Sequence, residues 1–158
     1  MRRLIAKAAG SVLGVGYIPF APGTFGSLVA ALVYLFLPDI AALRWLVPLI
    51  VMTSALGVWA GGVMEEEYGE DPSAAVIDEL AGQWVALAAL PVSPVVVLLS
   101  FLLFRFYDIV KPGLVDKAQS LPGGWGIMVD DLLAGLLANV TVRLLLFVLP
   151  FLPYGFSL

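Results

Sequence analysis

A long apolar stretch, residues 76–107, is interrupted near its middle by Pro91-Val92-Ser93-Pro94. As a single helix this stretch would be about 48 Å long, against a hydrocarbon core of about 30 Å. Two prolines three residues apart in a helix interior would each remove a backbone hydrogen bond and clash with the preceding turn. The sequence therefore predicts two short helices, 78–90 and 95–108, joined by a hairpin at 91–94.

Three further apolar segments, bounded by Pro, Gly or charged residues, predict helices at 24–37, 43–64 and 130–149. Hydrophobic residues make up 61% of the 158 residues, which is more than a soluble domain needs for its core. We expect one all-α domain, residues 1–158, built as an integral membrane bundle of about five mostly short helices. The acidic residues at 65–67, with Glu70 and Asp71, are interpreted as a solvated interfacial loop.

The alternation of these helices is predicted to bring most charged groups to one end of the bundle. Asp39 is the only acidic residue expected at the other end. Basic residues share the acidic end, so the positive-inside rule places that end in the cytoplasm. These basic residues are Arg2, Arg3, Lys7, Arg105, Lys111 and Lys117.

Two pairs of adjacent carboxylates open apolar segments at that end. Asp78 and Glu79 begin one segment, and Asp130 and Asp131 follow the glycine-rich run 123–126. Acidic residues in a first turn also complement the helix dipole, which is a purely structural explanation. However, carboxylates gathered in one place repel each other, and a divalent cation relieves this repulsion. Mg²⁺ binds one or two carboxylates together with water and phosphate oxygens.

Two other clusters are candidates for binding a phosphate group. Arg105, Asp108 and Lys111 are spaced by three residues, so one helix face presents a carboxylate between two cations. An intrahelical ion pair is the simpler explanation, but Arg is the usual residue for bidentate phosphate recognition. Thr24 lies in the glycine-containing run 22–27, which opens a helix and presents free N–H groups. A helix N-cap is the alternative there.

The absence of cysteine and histidine limits the chemistry further. It excludes disulfides, zinc sites of the Cys or His type, and mechanisms that need a thiolate or an imidazole. The clusters together place at least five carboxylates and two or three cations at one membrane face, as expected for metal-assisted phosphoryl chemistry. The net charge of -4 gives no indication of a nucleic-acid partner.

The same residues resemble the phosphatidylglycerophosphatase A family. The resemblance covers roughly residues 14–135 and rests on four motifs in the family's order. They are Ala21-Pro22-Gly23-Thr24-Phe25-Gly26-Ser27-Leu28, Val76-Ile77-Asp78-Glu79 with Gly82, Phe104-Arg105 with Asp108 and Lys111-Pro112, and Gly123-Gly124 with Gly126-Ile127-Met128 and Asp130-Asp131. One departure is that Gly113-Leu114 follows Pro112, where the family usually has a second proline.

The resemblance implies a Mg²⁺-dependent, multi-pass phosphatase of the bacterial inner membrane. Its implied reaction converts phosphatidylglycerophosphate to phosphatidylglycerol and inorganic phosphate. We expect Asp108 either to orient Arg105 or to act as a general base, and both a water nucleophile and an aspartyl-phosphate stay open. The candidate catalytic residues are Asp78, Glu79, Asp108, Asp130 and Asp131; the candidate metal ligands are Asp78, Glu79, Asp130 and Asp131; and the candidate phosphate-binding residues are Arg105, Lys111, Thr24 and Gly124.

Two classes of protein other than an enzyme stay open. A small helical membrane transporter would also gather carboxylates, but near the membrane midplane rather than at one end. A non-catalytic membrane assembly subunit could use the same helices for packing. Replacing Asp131 by alanine would then change oligomerisation rather than turnover. Assembly into a homo-oligomer is compatible with the enzyme as well.

Overall fold

The computed structural model describes residues 1–69 and 72–148. This part of the chain contains eight α-helices, one 3₁₀ turn (Val15–Tyr17) and no β-strand. The helices are α1 (Arg2–Gly10), α2 (Pro22–Phe36), α3 (Pro38–Ala41), α4 (Leu43–Tyr68), α5 (Ile77–Leu87), α6 (Pro94–Val110), α7 (Leu114–Ala118) and α8 (Gly124–Val148). The predicted all-α fold is confirmed for these residues.

The number of helices differs from the prediction of about five. The five predicted segments correspond to α2, α4, α5, α6 and α8, and the other three helices bring the described total to eight. α3 and α7 have four and five residues, too few to show a hydrophobic period. α1 contains Arg2, Arg3 and Lys7, so it lacks the long apolar run by which membrane helices are recognised.

The predicted hairpin is confirmed, because α5 ends at Leu87 and α6 begins at Pro94. Pro94 occupies the first helical turn, where its missing N–H is not needed. Ser93 caps α6, and its Oγ accepts a hydrogen bond from the Val96 amide at 3.3 Å. The hairpin returns the chain, so that Arg105 near the end of α6 meets the start of α5.

The second predicted helix continues further than expected, because α4 includes residues 65–67. The prediction of a loop at these residues was wrong. α1 packs beside this end of α4, and Lys7 Nζ lies 2.6 Å from Glu67 Oε1. The cations of α1 thus offset the acidic run and allow it to remain helical. Glu70 and Asp71, the rest of the predicted loop, lie outside the described residues.

The last helix begins at Gly124 rather than near Asp130, so the predicted start was wrong. Glycine disfavours helices by propensity, but here it allows backbones to approach closely. A Cβ atom at Gly124 would lie 2.0 Å from the Val58 carbonyl oxygen of α4. Asp130 and Asp131 therefore lie in the second turn of α8 instead of at its start. The predicted end at residue 149 lies outside the described residues.

α5 lies at the centre of the bundle. Nine of its eleven residues are buried, and it packs against α2, α4, α6 and α8. Leu80 and Trp84 join a core cluster with Tyr34 and Leu46, and Trp84 Nε1 donates to the Ala30 carbonyl oxygen at 3.1 Å. Burial on nearly every side is expected for a helix that other helices enclose. α5 can therefore be short without exposing its ends to lipid.

Side chains of α8 satisfy the carbonyl groups at the C-terminal end of α5. Asn139 Nδ2 donates to the carbonyl oxygens of Val85, Ala86 and Ala88 at 3.3, 3.0 and 2.9 Å. Arg143 Nη2 donates to Ala88 O at 2.9 Å, and its Nε donates to Asn139 Oδ1 at 2.8 Å. Unpaired backbone groups are costly away from water. These contacts explain why Arg143 occurs inside an apolar segment.

Two helices of the described chain, α4 and α8, are long and apolar enough to cross a membrane. Only 28% of the apolar stretch of α4 and 33% of that of α8 is buried inside the protein. Large apolar side chains such as Trp45, Met52 and Leu144 are exposed instead. The core helix of a soluble protein would bury most of this surface. Exposed apolar faces on helices of this length suggest a membrane protein.

Candidate active site

The crossing of α5 and α8 determines which side chains meet at the polar end. A Cβ atom at Gly135 of α8 would lie 2.2 Å from the carbonyl oxygen of Gly82 in α5. Only glycine permits backbones to pack this closely. The crossing therefore brings the first turn of α5 beside the second turn of α8.

Glycines also fix the segment that leads into α5. A Cβ atom at Gly16 would lie 2.0 Å from Ala74 O, and one at Gly26 would lie 2.9 Å from Val76 O. The Val76 amide donates to the Gly10 carbonyl oxygen at 2.8 Å. Close packing on both sides thus holds the start of α5, and the acidic pair of its first turn, in one position.

Three carboxylates form the centre of the site. Oxygen atoms of Asp78, Glu79 and Asp131, one from each residue, all lie within 4.8 Å of one another. Within the described residues, Asp78 Oδ1, Glu79 Oε2 and Asp131 Oδ2 are buried without a hydrogen-bond partner. Buried charges are normally paired or bound to a metal. Because Mg²⁺ binds oxygen ligands, this set of donors fits such a cation.

Burial raises the pKa of the Asp78 carboxyl well above its usual value, and the negative charge of Glu79 adds to the effect. Burial likewise raises the pKa of Glu79, although the nearby Arg105 opposes this shift. Both carboxyls are therefore harder to ionise than exposed ones. A bound cation would favour their charged forms.

α6 contributes two cations on either side of one carboxylate. Arg105 Nη1 lies 2.7 Å from Asp108 Oδ2 and 3.7 Å from Glu79 Oε1. Lys111 Nζ lies 3.9 Å from Asp108 Oδ1 and forms an ion pair with Asp130. Each carboxylate oxygen of Asp108 therefore lies near one of the two cations. Arg and Lys side by side are suited to neutralising a phosphate group.

Lys111 reaches α8 through an unusual backbone turn. Its φ of +47° is in the left-handed region, which is uncommon for a residue with a side chain. Burial lowers the pKa of Lys111, but its hydrogen bond with Asp130 and the charge of Asp130 outweigh burial, so the pKa is raised overall. Lys111 therefore stays positively charged at neutral pH.

Asp130 lies next to the three carboxylates but outside their group. Its Oδ2 pairs with Lys111, and its Oδ1 accepts a hydrogen bond from the Asp131 amide at 3.0 Å. Both of its oxygens are thus already engaged. These contacts hold Lys111 in place beside the cluster.

Ser27 and Gly23 are site residues that the sequence did not single out individually. Arg105 Nη1 donates to Ser27 Oγ at 3.3 Å, and Ser27 Oγ donates to the Gly23 carbonyl oxygen at 2.9 Å. A Cβ atom at Gly23 would lie 1.8 Å from Glu79 Oε1. Both residues belong to the motif 21–28, but only the packing of α2 against α5 and α6 shows what they contact.

The two other predicted phosphate-binding residues have different surroundings. Thr24 is partly buried in the first turn of α2, and its amide donates to Ala21 O at 3.0 Å. What Thr24 can still offer a ligand is its hydroxyl group. Gly124 is buried where α8 meets α4. A Cβ atom at this position would lie 2.8 Å from the Gly62 nitrogen. The structure gives Gly124 a packing function, and its contact with phosphate stays a prediction.

A polar cleft of about 460 Å³ opens beside this site. Its walls come from Glu65 on α4, the loop 119–123, and Gly126 and Asp130 on α8. Asp130 therefore borders both the cleft and the cluster of charged groups.

Helices long enough to cross a membrane, buried carboxylates and two adjacent cations are the features expected of a membrane enzyme that acts on phosphate esters. Sequence comparison agrees with this class. The family model for phosphatidylglycerophosphatase A matches residues 8–146, and the chain belongs to the phosphatidylglycerophosphatase A family. This membership identifies it as an enzyme, a phosphatidylglycerophosphatase, rather than a transporter or an assembly subunit.

Three curated bacterial proteins are similar over most of their length. A provisionally named phosphatidylinositol-3-phosphatase of Bacteroides thetaiotaomicron is 41% identical over 140 residues, covering 84% of this chain and 88% of the relative. Phosphatidylglycerophosphatase A of Haemophilus influenzae is 34% identical, covering 82% and 81%. The Escherichia coli protein of the same name is 36% identical, covering 79% and 74%. No solved structure matches the chain significantly.

Proposed function

We propose that this phosphatase is Mg²⁺-dependent and hydrolyses phosphatidylglycerophosphate to phosphatidylglycerol and inorganic phosphate. One observation carries the proposal: the carboxylates of Asp78, Glu79 and Asp131 converge, and each has one buried oxygen without a hydrogen-bond partner among the described residues. Arg105 and Lys111 lie beside them. The names of two of the curated relatives support the substrate.

Asp78, Glu79 and Asp131 would hold the metal ion. When bound there, Mg²⁺ would polarise the phosphate and lower the pKa of a water molecule. Asp130 contributes in a different way, because its contacts fix Lys111. Asp78, Glu79 and Asp131 each keep one buried oxygen that has no hydrogen-bond partner among the described residues and could coordinate the ion.

Arg105 and Lys111 would bind the phosphate oxygens and neutralise the charge that develops as water attacks phosphorus. The water oxygen forms a bond to phosphorus, the bond between phosphorus and the glycerol oxygen breaks, and a proton from the water ends on that oxygen to give phosphatidylglycerol. Asp108 and Ser27 position Arg105, since both contact its Nη1. The Thr24 hydroxyl, in the first turn of α2, would add a contact to the phosphate.

The polar end of the bundle would face the cytoplasm of a bacterial inner membrane. The ion pairs of Lys7 with Glu67 and of Lys111 with Asp130 support the grouping of basic with acidic groups at this end. The positive-inside rule then sets the orientation. The acyl chains of the substrate would stay in the bilayer while its headgroup reaches the site.

A second substrate is favoured by one specific observation. The relative from Bacteroides thetaiotaomicron, at 41% identity, is named for phosphatidylinositol 3-phosphate. Both lipids present a phosphate monoester on a polyol headgroup, so the same charged groups could act on either. We therefore include phosphatidylinositol 3-phosphate as a candidate substrate.

The test is release of inorganic phosphate from phosphatidylglycerophosphate by the detergent-purified protein, with Mg²⁺ or with excess EDTA. Asp131→Asn is compared with Asp116→Asn, which makes the same change at an exposed residue of α7. We expect release only with Mg²⁺, a loss of at least about a hundredfold in Asp131→Asn, and normal turnover in Asp116→Asn.

Each part of the proposal can fail separately. Release that persists in EDTA would rule out the metal dependence. Equal activity of Asp131→Asn and wild type would remove Asp131 from the site. A folded wild-type protein that releases no phosphate from either lipid would refute the proposed substrates.

A further inference from the structure

The polar cleft beside Asp130 is not used by the phosphate chemistry described above. Asp130 borders the cleft on one side and pairs with Lys111 on the other. A phosphate held by Lys111 would therefore lie next to the mouth of the cleft. The part of the substrate that is bonded to this phosphate is the part that can enter it.

The chemistry of the walls indicates what the cleft can bind. Glu65, Gln119 and Ser120 line it together with the rest of the loop 119–123. Among the described lining residues none is Lys or Arg, so a second phosphate would meet no positive charge. Carboxylate, amide and hydroxyl groups are instead the partners of alcohol groups.

Glu65 is the residue best placed to accept such hydrogen bonds. Its Oε2 lies 3.7 Å from the position of a Cβ atom at Gly123, so the carboxylate faces the loop on the other wall. Within residues 1–69 and 72–148, no hydrogen bond or ion pair engages this carboxylate. The neighbouring Glu66 and Glu67, in contrast, pair with α1.

We propose that this cleft binds the polyol of the substrate headgroup, with Glu65 and Gln119 accepting hydrogen bonds from its hydroxyl groups. The inference rests on the proposed function and extends it to substrate selection. A volume of about 460 Å³ is within the range of small-molecule sites. Phosphatidic acid has its phosphate directly on diacylglycerol and has no polyol to place there. The cleft therefore selects lipids that have a polyol between the two phosphate groups.

The test compares kcat/KM for phosphatidylglycerophosphate, phosphatidylinositol 3-phosphate and phosphatidic acid. Glu65→Gln and Gln119→Ala weaken the hydrogen bonds that the cleft can offer a polyol, and Ser120→Phe fills its volume. Glu66→Gln is the matched control, because it makes the same change one residue further along α4 at an exposed position. We expect each cleft variant to lower kcat/KM for the polyol lipids by about tenfold and to leave phosphatidic acid unchanged.

The possible outcomes separate this inference from the proposed function. If the cleft variants lose selectivity for the polyol lipids over phosphatidic acid and Glu66→Gln does not, the result supports polyol binding in the cleft. Equal losses for all three lipids, or no change in an active enzyme, overturn the inference alone. A folded wild type without activity on any of the lipids overturns the proposed function and this inference with it.

Discussion

The carbonyl oxygen of Asp131 lies 2.6 Å from the position that a Cβ atom would take at Gly82. Asp78 precedes Gly82 by one helical turn, so it lies on the same face of α5. The contact between the α5 and α8 backbones therefore sets the spacing between Asp78 and Asp131. A packing relationship in the interior thus controls the geometry of the carboxylate cluster.

Gly82→Ala should destabilise the fold and weaken Mg²⁺ binding. The added methyl group would meet the Asp131 carbonyl oxygen and the Phe104 ring, at 2.6 and 2.7 Å, so α5 and α8 must separate. Overpacking of this kind costs about 1–3 kcal/mol. Unfolding in micelles and Mg²⁺ titration would measure the two effects. Gly62→Ala is the control, because its nearest contact would be an ordinary 3.5 Å; equal behaviour of the two variants would contradict the argument.

Asp131→Asn should stabilise the metal-free protein and reduce the stabilisation that Mg²⁺ provides. Without metal, the Asp131 carboxyl is buried beside those of Asp78 and Glu79, and its Oδ2 has no hydrogen-bond partner among the described residues. Asp131→Asn removes one of these three crowded carboxyl groups, so it should raise the free energy of unfolding by about 1–3 kcal/mol. With Mg²⁺ at a hundred times its Kd, the wild type should gain about 2.7 kcal/mol, and the variant should gain less.

Denaturant unfolding in micelles, with EDTA and with Mg²⁺, measures both differences. Asp116→Asn should respond to Mg²⁺ as the wild type does. If Mg²⁺ stabilises Asp131→Asn as much as the wild type, then Asp131 does not bind the metal.

Ser27→Ala should reduce kcat by about tenfold, because Arg105 loses a hydrogen-bond acceptor. The unfolding temperature and KM should change little, since Asp108 still holds the guanidinium. Ser54→Ala is the control: its hydroxyl is buried but has no hydrogen-bond partner among the described residues. A similar loss of kcat in both variants would show a general packing effect instead of positioning.

Local chemistry explains which features could be predicted from the sequence. Pro91 and Pro94 lie three residues apart, and each would remove a backbone hydrogen bond from the interior of a continuous helix. The hairpin and the return of α6 towards Asp78 therefore followed from sequence alone. The spacing of Arg105 and Asp108 likewise identifies neighbours on one helix face. Such features depend on residues close together in the chain.

Features that depend on tertiary packing were missed. The helical start at Gly124 contradicts glycine's propensity, and only the close approach of α8 to Val58 of α4 explains it. The contact between Ser27 and Arg105 joins residues 78 positions apart, so no local pattern could reveal it. The continuation of α4 through residues 65–67 similarly depends on α1, whose Lys7 pairs with Glu67.

Asn139→Leu should destabilise the protein without changing its Mg²⁺ affinity. The side chain is similar in size, but it would leave the carbonyl groups of Val85, Ala86 and Ala88 without the amide that now donates to them. Unsatisfied buried carbonyls should lower the free energy of unfolding by about 1–3 kcal/mol. The folded site should keep its affinity, because Asn139 contacts the end of α5 opposite to Asp78.

Val140→Ala provides the comparison, because Val140 is the next residue of α8 and is 46% exposed. Its effect on the free energy of unfolding should stay within about 0.5 kcal/mol. If Asn139→Leu unfolds like this control, then Arg143 alone satisfies the end of α5. If both stability and Mg²⁺ affinity fall, the two ends of α5 are coupled, and the capping contacts also help to position the carboxylates.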